Sequence, residues 1–318
     1  MDKPLLSICI PTYNRCEYLE RCLSAIVNQK GFDNRVEVVI SDNCSTDNTQ
    51  IIGKKYDEEY SNVHYHRMDE NVCASVNQLF VLKNASGILR KLTNDTIIYY
   101  DGAIEYMLRA ANNSIEKKPK LFFLNSEKLV RDSIHVKTME NYIDTLGYWI
   151  TWIASFTVWE GDCDDLDIFV EKKDTSLAQV PFLLKNFEKH GEAIIYDKLI
   201  MYSIVPKSKN LTYGLYHVFY ETFLSFLQPY IESGKISKQC YEGLRKNLLL
   251  NFFTEWIVRK EMASNYYRFS DEDLRGLIES AYRNETYYID YKIKLYRLRL
   301  KSIIQKMLKA GTGTNNAI

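Results

Sequence analysis

The apolar run Leu6-Ser7-Ile8-Cys9-Ile10 opens into Pro11-Thr12-Tyr13-Asn14-Arg15, and Val36-Glu37-Val38-Val39-Ile40 opens into Ser41-Asp42-Asn43-Cys44-Ser45-Thr46-Asp47. Asp42, just past its run, can accept hydrogen bonds from a ring N–H or a ribose hydroxyl. Tyr13 offers an aromatic face and Arg15 a fork of donors for phosphate. Together these types suit a nucleotide. Taken singly, either cluster reads more readily as a turn in which Asp42 and Asp47 only cap, since Asp, Asn, Ser and Thr favour loops.

The elements that must position these residues follow from the pattern. Both runs are short, β-branched and bounded by turn residues, as interior strands are. Between them Leu19, Cys22, Leu23, Ile26 and Val27 recur at helical spacing, giving strand, helix, strand. In a parallel sheet ligands bind beyond the carboxyl ends of the strands, the edge where both clusters lie. Further strands are expected at 62–66, 88–92 and 120–126, with helices near 46–60, 72–85, 101–114 and 176–190. Trp149 to Trp159 and Ala193 to Tyr196 read as later strands.

Ser-Ile-Cys-Ile-Pro-Thr-Tyr-Asn-Arg (7–15), followed by Tyr18-Leu19, Cys22-Leu23 and Gln29, resembles the opening of the inverting glycosyltransferases called family 2. Val38 to Thr49 resembles that family's second motif, and the likeness continues through Glu70-Asn71, Asn77, Ala85-Ser86-Gly87 and Leu92 to Glu105. The resemblance implies a GT-A fold, a Rossmann-like mixed α/β sheet flanked by helices. It implies a nucleotide-sugar donor bound near Pro11, Thr12, Tyr13, Arg15, Asp42, Asn71, Asn94 and Asp95, with Asp42 holding the base. Transfer to a saccharide or lipid-linked saccharide of a bacterial surface polysaccharide is the implied activity, with UDP the expected carrier.

The departing diphosphate needs its charge offset, usually by a divalent cation on a carboxylate. The family's Asp-rich motif corresponds here to Leu92-Thr93-Asn94-Asp95-Thr96, with one carboxylate where two or three are common. Asp95 is the expected ligand of Mn2+ or Mg2+, with Asn94 or Thr96 assisting. Arg15 with Lys91 is the metal-free alternative. A structural alternative is an N-capping cluster before the 101–114 helix, a role Asp101 fills better. An inverting enzyme also needs a general base for the acceptor hydroxyl. The slot in which the family places a carboxylate falls at Gln179 and Val180. Asp174, before Thr175-Ser176, is the substitute, with Glu160, Asp162, Asp164, Asp165 and Asp167 as alternatives in an acidic stretch that also reads as a solvated loop. Trp152 is a candidate for lining an acceptor pocket, opposite in strand parity to Trp149 and Trp159.

Composition bounds the remaining classes. The 318 residues are 46% hydrophobic and 26% charged, a globular balance. Lys plus Arg equals Asp plus Glu, at 41 each, so no global field favours nucleic acid. Seven scattered cysteines, with no pair at metal-ligand spacing, fit reduced thiols in a cytoplasmic protein. The start Met1-Asp2-Lys3-Pro4 lacks a charged, apolar leader, and no run reaches a membrane span. The loop after the first strand holds no glycine, which argues against a nucleotidyltransferase phosphate loop.

From about residue 215 the period is helical, with helices expected at 215–232, 237–262, 271–283 and 287–309. The expected organisation is a catalytic domain at 1–210, a helical extension at 211–310 and a tail at 311–318. In 287–309 an apolar face is surrounded by Lys and Arg, a pattern that suits either an anionic membrane surface or packing within the protein or a homodimer. The leading expectation is therefore a cytoplasmic glycosyltransferase at the inner face of the membrane. The alternative is a nucleotide-sugar-binding scaffold that has lost catalysis.

Overall fold

The computed structural model describes residues 3–125, 131–204, 209–210, 213–261, 267–271 and 273–311. Two compact units are present, Met1–Pro206 and Lys207–Ile318.

In the first unit the two apolar runs form β1 (Leu6–Thr12) and β2 (Val36–Asp42), paired in parallel from Leu6↔Val36 to Thr12↔Asp42. With β3 (Val63–Arg67), β4 (Leu89–Leu92) and β8 (Thr157–Trp159) they make a five-stranded sheet in the order β3-β2-β1-β4-β8. The first four strands are parallel and β8 is antiparallel to β4, so the sheet is mixed as expected.

The interior strands are buried on both sides because helices cover both faces. Leu6, Ile8, Ile10, Val36, Val38 and Ile40 join one core with α1 (Cys16–Val27), α2 (Thr49–Glu59) and α4 (Ala103–Ser114). The opposite face lies under α3 (Ala74–Asn84), which packs on β1 and β2. There Glu37 is buried, but its carboxylate accepts from Ser7 Oγ, from the Ser86 N–H and Oγ at 2.6 and 2.7 Å, and from the Gly87 N–H at 2.9 Å. Burial opposes its ionisation, yet these bonds hold the carboxyl below its ordinary value. A Cβ at Gly87 would stand 2.2 Å from Ser7 Oγ and 2.9 Å from Ser7 N, so only glycine fits that approach.

Beyond the main sheet, β5 (Ile97–Tyr99) pairs antiparallel with β10 (Met201–Ser203). A three-stranded sheet runs β6-β9-β7, from Lys120–Phe123, Ala193–Tyr196 and Ser133–Val136. The short β5, β7 and β10 were not legible as strands: three or four residues show no periodicity of their own. Residue 126, the expected end of the 120–126 strand, lies outside the described residues.

Trp149 to Trp159 is not one strand. The helix α5 (Met139–Leu146) runs into a 3-10 turn over Gly147–Thr151, and only Thr157–Trp159 is extended. Trp159 is buried and donates Nε1–H to the Pro119 carbonyl at 2.8 Å, whereas Trp149 and Trp152 are half-buried with rings 5.7 Å apart. The parity argument for Trp152 therefore falls with the strand. The helix expected from 176 begins at Gln179, as α7 (Gln179–His190), because Ser176 holds a left-handed φ of 59°. Between β8 and α7 come a 3-10 segment, Glu160–Asp167, then α6 (Ile168–Glu171) and the turn Lys173–Thr175.

In the second unit the helical segments are Tyr216–Ser225, Gln228–Glu232, Lys238–Glu261, Leu274–Tyr282 and Tyr288–Gly311, the first and third containing wider π turns. Residues 312–318 of the expected tail lie outside the described residues.

Candidate active site

Parallel pairing places Thr12, Asp42 and Arg67 side by side at the carboxyl edge, in the registers Thr12↔Asp42↔Arg67. The β4 strand ends at the same edge, since Cys9 pairs with Leu92, and the Thr93 N–H continues the ladder to the Cys9 carbonyl at 2.9 Å. Asp95 therefore enters the crevice from the third loop.

The loops after β1 and β2 are tied to each other. Asn14, at a left-handed φ of 50° that asparagine tolerates, donates its N–H to Ser45 Oγ at 2.9 Å and accepts from the Thr46 N–H at 2.7 Å. The Arg15 N–H reaches Thr49 Oγ1 at 3.2 Å. Asp47 accepts from the Cys16 N–H at 3.1 Å and the Thr49 N–H at 2.9 Å, so one carboxylate satisfies the first turns of both α1 and α2. Partial burial works against its ionisation, but the bonds from Thr49 and Cys16 hold the carboxyl below its ordinary value. The turn-capping reading is thus right for Asp47.

Asp42 does more than cap. Its carboxylate is fully buried, with Oδ1 accepting from the Ser45 N–H at 2.9 Å and Oδ2 from Tyr65 Oη at 2.6 Å and Arg67 Nη1 at 3.0 Å. Burial and the adjacent Asp42 carboxylate push the Tyr65 phenol well above its ordinary value. A carboxylate has about four lone-pair positions, so three donors leave Asp42 room for one more. Sequence reasoning missed Tyr65 and Arg67, whose only signal was their place on the neighbouring strand. Asn71 is exposed and donates to the Asn43 carbonyl at 3.0 Å, and Asn43 in turn exchanges bonds with Val72 at 2.8 and 2.9 Å.

Asp95 is 2% exposed and accepts from Thr12 Oγ1 at 2.8 Å and Arg15 Nη1 at 2.8 Å. Thr93, two residues earlier, is buried and shares a 2.6 Å hydrogen bond with Tyr99 Oη. Asn94 is half-buried, and Thr96 Oγ1 lies 3.4 Å from Ser203 Oγ. Pro11 is partly covered, while Tyr13 remains 44% exposed with its ring open to solvent at the crevice mouth.

Among the described residues no cluster of three or more His, Cys, Asp or Glu side chains stands ready for a metal. Mg2+ and Mn2+ sites at phosphates use one or two carboxylates with substrate oxygens completing the shell, so Asp95 alone, with Thr12 and Arg15 on its two oxygens, is the residue that would hold the cation. The cation would compete with Arg15 for Oδ1. Lys91 does not supply the alternative charge. It is fully enclosed and donates Nζ to the Leu92 carbonyl at 3.1 Å and to the Ala154 carbonyl, and burial lowers its pKa to about 7.

Antiparallel β8 carries the chain away from the crevice. Trp159 pairs with Leu89, at the amino end of β4, and the Glu160 N–H bonds to the Ile88 carbonyl at 2.9 Å. The acidic segment that follows therefore starts at the edge of the sheet opposite Asp42 and Asp95, and four of its five carboxylates have local partners, Asp164 being exposed. Glu160 pairs with Lys3, Asp162 with Lys120 and His190, Asp165 with Lys189 and Asp167 with Lys83, at 2.6–2.9 Å. As alternatives for the base, these residues are displaced by topology. Asp174 lies on the Lys173–Thr175 turn, exposed, with no hydrogen bond to Thr12, Arg15, Asp42 or Asp95 among the described residues. Gln179 is buried, with Nε2 donating to the Thr151 carbonyl at 2.7 Å.

Residues 7–114, which hold both clasped loops and Asp95, match the profile described as Glycosyl transferase family 2. This stretch is a family 2 glycosyltransferase domain. Over 84 residues the chain is similar to the abequosyltransferase RfbV of Salmonella typhimurium at 42% identity, covering 26% of this chain and 25% of that protein. The chain thus spans a quarter of that relative's length. Among solved structures, it is similar to S. aureus TarS 1-349 in complex with UDP-GlcNAc, with a TM-score of 0.56 and 18% identity over 95% of this chain and 92% of that one. It is also similar to the mannosyltransferase PcManGT from Pyrobaculum calidifontis in complex with GDP-Man and Mn2+, with a TM-score of 0.55 and 15% identity over 94% and 88% of the two chains. At such identities the likeness establishes the fold, that of the GT-A glycosyltransferases.

Proposed function

We propose that the protein is an inverting glycosyltransferase that moves a sugar from a uridine diphosphate donor to a saccharide acceptor in surface-polysaccharide synthesis. The observation that carries this reading is the convergence of Thr12, Arg15, Asp42 and Asp95 at one sheet edge inside a family 2 domain, on loops that brace each other. The buried Asp42 carboxylate, which takes three donors, is the candidate acceptor for a base N–H, and Tyr13, exposed on the neighbouring loop, is the candidate to stack on the base. Arg15 faces the diphosphate, with Asn71 on the rim. The UDP-GlcNAc and GDP-Man bound in the two similar structures support a nucleotide sugar as the ligand class.

In this reading Asp95 would hold Mn2+ or Mg2+ at the donor's diphosphate. Bound there, the cation supplies charge to offset that of the departing diphosphate. Thr12 and Arg15 hold the Asp95 carboxylate in place. Asp174 takes the acceptor's proton, since inversion needs a carboxylate base on the acceptor side and the 160–167 segment starts at the opposite edge of the sheet.

Thermal shift against a panel of nucleotides and nucleotide sugars, with and without Mn2+, tests the donor, and release of free diphosphate tests transfer. Stabilisation by one uridine donor followed by diphosphate release in the presence of a saccharide is the expected result. Binding without release overturns catalysis and leaves the scaffold reading.

A further inference from the structure

The Tyr288–Gly311 helix is apolar on two opposite sides. One side, with Tyr291 and Leu295 almost fully buried, packs against the Thr254–Glu261 helix of the same unit. The other carries Ile289, Ile293, Tyr296, Leu300, Ile304 and Met307, all between 41% and 68% exposed. Steps of three and four keep these six within about 60° of one line, a stripe roughly 27 Å long at 1.5 Å per residue. Soluble proteins rarely leave so long an apolar surface bare.

The charges beside the stripe identify what covers it. Lys292 and Arg299 flank it on one side and Arg297 and Lys301 on the other, and no Asp or Glu follows Asp290 in the sequence. Lys292 and Arg299 are neutralised by Glu279 and Glu261, whereas Arg297 and Lys301 are exposed with no ion pair among the described residues. A second copy laid stripe to stripe would bring basic flank against basic flank with no carboxylate on this stretch of helix to offset them. An anionic bilayer supplies both partners at once, acyl chains for the stripe and headgroup phosphates for the flanks. No helix among the described residues is long and apolar enough to cross a membrane, so the contact is one of lying on the surface.

We propose that the exposed face of the Tyr288–Gly311 helix seats the protein on anionic phospholipid. The test is co-sedimentation of the full chain with vesicles of phosphatidylglycerol and phosphatidylethanolamine, compared with phosphatidylcholine alone. Binding to the anionic vesicles is expected to be at least tenfold tighter and to weaken in 0.5 M NaCl. Ile293→Glu with Ile304→Glu should cost tenfold or more on anionic vesicles. Arg297→Gln with Lys301→Gln should erase most of the preference for anionic lipid. The altered side chains are exposed, so a cooperative melt and a nucleotide-induced thermal shift like the parent's confirm an intact fold. If the first pair melts poorly, the second pair and the salt dependence decide. A parent that stays in the supernatant with anionic vesicles at low salt overturns the proposal. So does unaltered vesicle binding by both variants, or a parent dimer that Ile293→Glu with Ile304→Glu converts to monomer while vesicle binding persists.

Discussion

Arg15 Nη1 lies 2.8 Å from Asp95 Oδ1, an ion pair that joins the loop after β1 to the loop after β4 across 80 residues of sequence. The guanidinium thus sits on the carboxylate oxygen that a divalent cation would use, while Thr12 holds the other oxygen. Arg15→Gln is expected to raise the affinity of the nucleotide-free protein for Mn2+ several-fold, because a competitor for Oδ1 is gone. The same change should weaken UDP about ten- to a hundredfold through loss of a charged donor to phosphate. Calorimetric titration with Mn2+ and with UDP reads both, and an unchanged Mn2+ affinity would show that Arg15 and the cation do not share Asp95. Asp95→Asn should abolish Mn2+ binding, and chelation of metal from the parent should reproduce its loss of turnover.

Asp42 is bound by Tyr65, Arg67 and the Ser45 N–H, which makes it both a structural node and a candidate ligand. The two roles separate by substitution. Asp42→Asn should destabilise the fold by about 1–3 kcal/mol and weaken uridine nucleotides at least tenfold. Tyr65→Phe should cost about 1 kcal/mol in urea denaturation yet leave nucleotide affinity equal or higher, since it frees a position on Oδ2. If Asp42→Asn binds UDP as the parent does, the carboxylate serves only to hold β3 and the loop.

These two pairs mark how far the sequence could be read. Strand, helix and strand over residues 6–42 were legible because interior strands and an amphipathic helix carry their own periodicity, and Asp42 and Asp95 stood out as carboxylates just past strand ends. Arg67 and Tyr65 were not legible, for their role comes from lying one strand over in register, which no local pattern records. Trp149 to Trp159 misled for a related reason: aromatic content mimics a strand, but the 3-10 turn at Gly147–Thr151 is set by tertiary packing. The direction of β8, which removes Glu160 to Asp167 from the crevice, is likewise a property of pairing and not of composition.

Lys91 gives a prediction about pH. Burial lowers its pKa from 10.5 to about 7 in the folded protein, while in the unfolded chain it titrates as an ordinary lysine. Below pH 7 both states hold the proton and the cost of burying the charge is present in full. From about pH 7 to 9 the unfolded state binds more protons, so stability should rise with pH. Above about pH 9 the effect is opposed by Cys9 and Cys22, whose thiols burial keeps protonated in the folded state alone. Lys120, also lowered by burial, acts in the same direction as Lys91, so the parent's slope is shared. Lys91→Met isolates one share: its urea midpoint should gain less between pH 7 and pH 9 than the parent's. Equal gains would mean that Lys91 keeps its proton throughout.

The acceptor side rests on Asp174, and topology sharpens the test. Asp162 is buried between Lys120 and His190 at the far edge of the sheet, and although burial opposes its ionisation, the hydrogen bonds from His190 and Lys120 and the Lys120 charge hold its carboxyl far below the ordinary range. Removing it should damage stability and leave the chemistry alone. Asp174 is exposed and, among the described residues, bound to nothing, so Asp174→Asn should leave the melting temperature and donor affinity where they are. A positioned base contributes typically 10²–10⁴-fold, so kcat should fall by about that factor with little change in the donor KM. Asp162→Asn is the matched control, with the melting temperature falling by several degrees and kcat at permissive temperature within about threefold of the parent. Turnover by Asp174→Asn close to the parent's would remove this residue from the reaction and direct the search to carboxylates that approach the crevice only with acceptor bound.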